Sequence, residues 1–451
     1  MPPTRRSFLT QLATAGVVAP AWLSSASRGA EPGAPVAAFA PGLAAAIDAA
    51  GRIAAAMAGA SSDPAVVAAD ESRWAAVQAS WAVDRTILNL ENGGVQPSPA
   101  VVNHAYLQAW LASHDAPAHS LNRVLWPQVE GVRADLAAAF GCDAEELALT
   151  RNTTEGIETV LLGLRWTAGD EVVTTTQDYW RFHNTLRQRA DRDGIVFRPI
   201  TLPVPASVDE IVARFAAAIT PRTRALLISH VINLTGQFLP VREIVLMARA
   251  RGVLVVVDGA HGFAHVPLNR DALECDIYAT SLHKWLGAPH GTGFLYVRRE
   301  RIAEIWPLYP APAELRGNIR KFESIGTAPA APYLAIREAL VFWASIGAAR
   351  KAARLRWLRE RWLAPLAAEP WLKVHTPRQP EFAGALATVE CAGLPPTKLA
   401  AWLWERHRTL VRPVIHPEFQ GIRVTPNLYT TPADLERFVD LLRGAVLKGL
   451  G

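Results

Sequence analysis

Cysteine is scarce, with three residues in a chain of 451, at positions 142, 275 and 391. A set so sparse and odd in number excludes a zinc cluster and a disulfide framework, and no metal site is expected. Long apolar runs are missing beyond the N-terminal segment, so no later stretch reaches the roughly 20 residues a membrane-spanning helix needs. Charge is also thin: 19% of residues are charged and the net balance is +5, with Lys and Arg dispersed rather than gathered into a tract. That leaves no electrostatic footprint for a nucleic acid partner. Internal repeats and low-complexity linkers are absent as well. What is present is apolar: half the residues are hydrophobic, which excludes a disordered chain. At about 150 residues per domain the length predicts two or three domains.

The first thirty residues have an order of their own. Arg5-Arg6-Ser7-Phe8-Leu9 precedes an uncharged apolar run from Leu12 to Leu23, and small residues follow. Basic, apolar and small segments in that order form an export signal, and the paired arginines before Phe-Leu resemble a Tat signal. The resemblance implies cleavage after Ala26 or Ala30, the Tat export machinery as a partner, and a periplasmic mature protein without a stable membrane span. Tat export moves folded proteins, which suits a cofactor loaded before export.

Beyond residue 30, Ala-rich helical stretches interrupted by Pro41, Gly51 and Pro64 predict an N-terminal helical arm over residues 31–84. Short β-branched strands then alternate with longer amphipathic helices, the pattern of an α/β fold with a parallel sheet. Strands are expected at Leu147 to Leu149, Glu171 to Thr175, Ala225 to Ser229, Val253 to Val257, Ile277 to Ala279 and Gly293 to Val297. Continuous runs such as Val253-Leu254-Val255-Val256-Val257 fit strands covered on both faces. The alternation defines a large domain over 85–331. From about Pro332 the pattern changes to a long Arg- and Trp-rich helical stretch, strands near 385–390 and 421–424, and a final helix with Thr431 as cap and Pro432 in its first turn. This predicts a smaller C-terminal α+β domain over 332–451.

The chemistry concentrates in a few places. Thr280-Ser281-Leu282-His283-Lys284 follows the strand at 277–279, and Val257-Asp258-Gly259-Ala260-His261 ends the strand before it. Ligands in open α/β sheets collect outside the carboxyl ends of strands, so Lys284 and Asp258 are expected in one crevice. A buried lysine there is costly unless paired or neutralised, and a Schiff base to an aldehyde cofactor neutralises it. An aspartate can keep a pyridinium nitrogen protonated. Lysine and aspartate together make the pairing that pyridoxal 5′-phosphate demands. Arg151-Asn152-Thr153-Thr154-Glu155-Gly156 opens an apolar helix, whose free N–H groups and Thr hydroxyls suit a phosphate or an ordinary cap.

Asn152-Thr153-Thr154-Glu155, Ser229-His230-Val231-Ile232-Asn233-Leu234-Thr235-Gly236, Asp258-Gly259-Ala260-His261 and Ser281-Leu282-His283-Lys284 occur in the order and approximate spacing of class V aminotransferase-like enzymes. That pyridoxal-phosphate superfamily of fold type I includes cysteine desulfurases, kynureninases and isopenicillin N epimerase-like proteins. The resemblance covers roughly residues 85–440. It implies a fold type I α/β architecture: a large cofactor-binding domain with a mostly parallel seven-stranded sheet between helices, plus the smaller α+β domain. It further implies that Lys284 carries the cofactor, that Asp258 partners the pyridine nitrogen, that His261 lies near the phenolic oxygen, and that Asn233 lies beside cofactor and substrate. Thr153, Thr154, Ser281 and His283 resemble the phosphate ligands, and Tyr179 stands where a ring-stacking residue is expected. Glu323-Ser324-Ile325-Gly326-Thr327 resembles an element that reaches the phosphate of the other subunit, implying a homodimer with shared sites and a cofactor contact from Thr327. Arg423, in Gly421-Ile422-Arg423-Val424-Thr425, resembles the arginine that holds the substrate carboxylate, a bidentate contact suited to a planar guanidinium.

A cysteine desulfurase needs a nucleophilic cysteine on a mobile loop shortly before that arginine, and the segment Val411 to Gln420 has none. The resemblance therefore points to an enzyme on an amino acid or a peptide-borne amino group. Transamination is the leading expectation, epimerisation and β-elimination are alternatives, and a noncatalytic exported binding protein is the competitor of another class. Export adds, by analogy, the tailoring of a peptide siderophore.

Overall fold

The computed structural model describes residues 40–450, so the expected export signal and the first part of the expected arm lie outside the described residues. Seven strands build the main sheet: β1 Leu147–Thr150, β2 Glu171–Thr175, β3 Val196–Ile200, β4 Thr223–Ser229, β5 Leu254–Asp258, β6 Ile277–Ser281 and β7 Gly293–Val297. Their order is β1-β7-β6-β5-β4-β2-β3. Only β7 runs against its neighbours, pairing antiparallel with β1 and β6, while the other pairs are parallel. Every residue of β1, β2, β6 and β7 is buried, as expected for a sheet with helices on both faces.

The strand β3 was not expected, and its sequence explains why. Val-Phe-Arg-Pro-Ile contains Pro199, which cannot donate to a ladder, and the strand survives because it forms the sheet edge, bonded to β2 alone. A second sheet of four antiparallel strands repeats the device. It comprises β8 Leu372–Val374, β9 Ala387–Cys391, β10 Arg412–His416 and β11 Phe419–Val424, in the order β10-β11-β9-β8. The unexpected β10 holds Pro413 and again lies at the edge. Leu358, Trp362, Val389, Ile422 and Phe438 form a core for this sheet. The last helix, Pro432–Lys448, starts at a capping box of Thr431 and Asp434.

Helices Ala40–Met57, Pro64–Ala68 and Glu71–Gln78 occupy the described part of the expected arm. They do not stand apart. Ile53, Met57, Trp74, Val77 and Trp81 belong to the same buried cluster as Tyr278 and Phe294 of the main sheet. Among the described residues no helix is long and apolar enough to cross a membrane.

Candidate active site

The crevice lies at the carboxyl ends of β4, β5 and β6. Asp258, the last residue of β5, is paired with Ser229 on one side and Ala279 on the other. The turn after it is tight because Tyr278 fills the space beneath: a Cβ on Gly259 would stand 2.0 Å from the Tyr278 ring, and one on Gly262 would stand 2.2 Å from its hydroxyl. Two glycines thus let the Asp258–His261 loop fold down over the sheet. The Asp258 carboxylate is 7% exposed, and its only donor among the described residues is the Ala260 amide at 2.9 Å. Burial without a cation of its own pushes its pKa up to about 6, against some help from Lys284.

Lys284 follows β6 by three residues, and its Nζ lies 3.1 Å from His261 Nε2. Burial lowers the amine to about 8, with Asp258 opposing the shift and Arg423 and Arg412 adding to it. His261 is itself positioned from behind. Trp285 Nε1 donates to His261 Nδ1 at 3.2 Å, and because an indole nitrogen is only a donor, the neutral imidazole must carry its proton on Nε2, toward the amine. Burial holds His261 well below the usual histidine range, which keeps it neutral. Trp285 is stacked on His265 at 3.7 Å, and its carbonyl accepts from the buried Lys351 amine. His265 donates from Nδ1 to the His261 carbonyl and accepts the Ala385 amide on Nε2. Trp285, His265 and Lys351 were not singled out in the sequence. Trp285 adjoins Lys284 and His265 lies four residues past His261, whereas Lys351 carries no local signal.

Thr153 and Ser281 meet as expected of a phosphate cup. The Thr153 amide donates to Ser281 Oγ at 2.9 Å and the two hydroxyls lie 2.8 Å apart, which joins the first residue of helix Thr153–Gly163 to the end of β6. Thr154 follows in the first turn of that helix. His283 Nδ1 donates to the Thr292 carbonyl at 3.1 Å, which directs Nε2 elsewhere, and burial lowers it to about 4. Tyr179 sits at the N-cap of helix Trp180–Asp193, and its ring contacts Trp180 and Phe182. Its neighbour Asp178 is buried and accepts five hydrogen bonds from Thr174, Thr175 and Ser229. At roughly 1.5–3 kcal/mol for a bond to a charged group, these tie the ends of β2 and β4 together beside Asp258. Thr327 is exposed.

Arg423, on β11, is 1% exposed and reaches back over the crevice. Its Nη1 donates to the Asn233 backbone carbonyl at 2.8 Å, joining two residues each expected beside the substrate, and its Nη2 bonds Glu91, which the sequence had not marked. The β10–β11 turn is only two residues long, and its Glu418 accepts from Thr176 and Gln177. A mobile cysteine-bearing loop has no place in so short a connection. The thiols of Cys275 and Cys391 are buried and pushed up to about 12, and Cys142 is raised too, so none is an activated nucleophile.

Residues 89–413 match the family described as aminotransferase class-V. The chain belongs to that family. It is 33% identical to an isopenicillin N epimerase of Streptomyces clavuligerus over 394 residues, 82% of this chain and 97% of that protein. It is also 33% identical to a cysteine desulfurase of Yersinia pestis over 208 residues, 45% of this chain and half of that protein. A solved complex of a cystine C–S lyase with cysteine persulfide superposes with a TM-score of 0.72 at 25% identity, covering 80% of this chain and 97% of that one. The fold is thus fold type I, and the cofactor of this class V chain is pyridoxal 5′-phosphate.

The residues present fit that group. Asp258 is a buried carboxylate with one hydrogen bond and no cation, the requirement of a protonated ring nitrogen, and the Thr153–Ser281 junction at a helix start suits a phosphate. When bound, pyridoxal phosphate supplies an electron sink for charge developing at a substrate α-carbon. Lys284 would hold it covalently, which requires the neutral amine. Below a pKa of about 8 the neutral fraction falls tenfold per pH unit, so loading of cofactor-free protein is expected to accelerate with pH up to about 8 and level off above it. A stopped-flow absorbance series from pH 6 to 10 measures this; a rate independent of pH contradicts the amine's assigned state.

Proposed function

We propose that this class V enzyme is an aminotransferase that acts in the periplasm on an amino acid or on a peptide-borne residue with a free amino group, a siderophore peptide being one such substrate. The observation that carries the reading is the contact of Lys284 with His261 above Asp258. After substrate displaces it, the amine at position 284 is free to take the α-proton, and a base with a pKa near 8 matches neutral operating conditions. His261 would hold the ring's phenolic oxygen with its Nε2 proton, and Arg423 the substrate carboxylate, beside Asn233. In a homodimer, Thr327 of one protomer would reach the partner's phosphate.

Epimerisation is the second reading, favoured by the likeness to the S. clavuligerus epimerase along nearly its whole length. The two differ in where one proton returns. Enzyme recovered from the periplasmic fraction and incubated with an amino acid panel in heavy water separates them by mass and chirality of the product. A keto product is expected; inverted, deuterium-labelled amino acid without keto product would replace the aminotransferase reading, and recovery only from the cytoplasm would remove the periplasm.

A further inference from the structure

Glu91 pairs with Arg423 through one oxygen only. Arginine and carboxylate frequently make a two-pronged contact, and here Glu91 Oε1 bonds Arg423 Nη2 alone. Arg423 Nε, Glu91 Oε2 and the nearby Thr425 hydroxyl are all buried without a hydrogen-bond partner. Such orphaned groups call for an absent ligand or a rearrangement. The local backbone is shaped for this carboxylate: a Cβ on Gly94 would stand 2.9 Å from Glu91 Oε1, and one on Gly93 would stand 3.1 Å from the Thr425 hydroxyl and 3.4 Å from Arg423 Nη2. Arg412 lies directly across the strand pair from Arg423, with its Nη1 3.8 Å from the same Glu91 oxygen.

Two guanidiniums and one carboxylate leave a single positive charge at this end of the crevice. We propose that Glu91 is the specificity-determining residue of the site: it admits substrates whose one carboxylate lies next to the amino group and turns away acidic side chains. An incoming carboxylate takes the idle Nε of Arg423 and balances the remaining charge. A second carboxylate then meets Glu91 in a poorly solvated cleft, where repulsion between like charges discriminates strongly. The substrate class is an amino acid, or a peptide-borne residue, with a neutral or cationic side chain. This rests on the reading of Arg423 as the carboxylate holder.

The test titrates L-alanine and L-glutamate into cofactor-loaded protein and follows the change in visible absorbance. Wild type is expected to bind alanine more tightly than glutamate, and Glu91→Gln to move that ratio toward glutamate by at least about tenfold. Glu91→Asp, which keeps the charge, retains the wild-type preference. An unmoved ratio in Glu91→Gln, an equal shift in Glu91→Asp, or a Glu91→Gln protein that no longer holds the cofactor overturns the proposal. An Arg423→Ala protein that binds alanine as wild type does shows that the carboxylate is held elsewhere, which removes the foundation and the proposal with it.

Discussion

Replacing Lys284 by alanine is expected to abolish the borohydride-reducible visible absorbance of the loaded protein and to lower turnover by about 10⁴-fold or more, the upper range for one positioned acid–base group. The size of the effect follows from two roles carried by one amine. In the proposed reading it would hold the cofactor covalently and then serve as the base toward the substrate α-carbon. His261 cannot substitute, because its Nδ1 is engaged by Trp285 and burial keeps its proton affinity low. Reduction with borohydride followed by peptide mass mapping checks the first role, and single-turnover kinetics checks the second. A variant that keeps the absorbance band would place the cofactor on another lysine. Lys351 is close through Trp285, but its amine is committed to the Trp285 carbonyl.

Asp258→Asn has the opposite profile, because the lysine is intact. The absorbance band is expected to remain while turnover falls at least about a hundredfold, the scale seen when one preorganised electrostatic partner is removed. Its effect on the cofactor-free protein has the reverse sign. The folded-state pKa of about 6 exceeds the ordinary 3.8, so near pH 7 the ionised carboxylate destabilises the empty protein by up to about 3 kcal/mol, a cost relieved as pH falls through 6 toward 4. Asparagine carries no such charge. The cofactor-free variant should therefore melt no lower than cofactor-free wild type at pH 7, and thermal melts of both forms read this directly. Lower stability of the empty variant would mean that Asp258 holds the crevice together by itself. A bound pyridinium would turn that cost into an attraction, a trade of stability for activity.

Motifs contiguous along the chain were legible because the sheet turns sequence order into spatial order. Asp258 ends β5 and Lys284 follows the adjacent parallel β6, so the spacing between them predicted one crevice, whereas Thr153 met Ser281 across the intervening β7. Two proline-bearing edge strands escaped notice. Proline in β3 and β10 contradicts a central strand, and only tertiary position shows that each has one open side. The described helices of the N-terminal segment read correctly as helices, but their apolar faces join the main core, which helical periodicity alone does not reveal.

The contacts that set specificity were the least visible. Glu91 and Arg423 are 332 residues apart, and neither alone signals the other.

The amino-acid sequence by itself determined the fold type and the cofactor, through motifs in the order of a known family, and it set Asp258 and Lys284 at the ends of neighbouring patterned strands. The tertiary structure alone decided which charges share the substrate end of the crevice and which tautomer His261 adopts. Those properties depend on distances and burial between segments remote in the chain, and a local pattern carries no information about them.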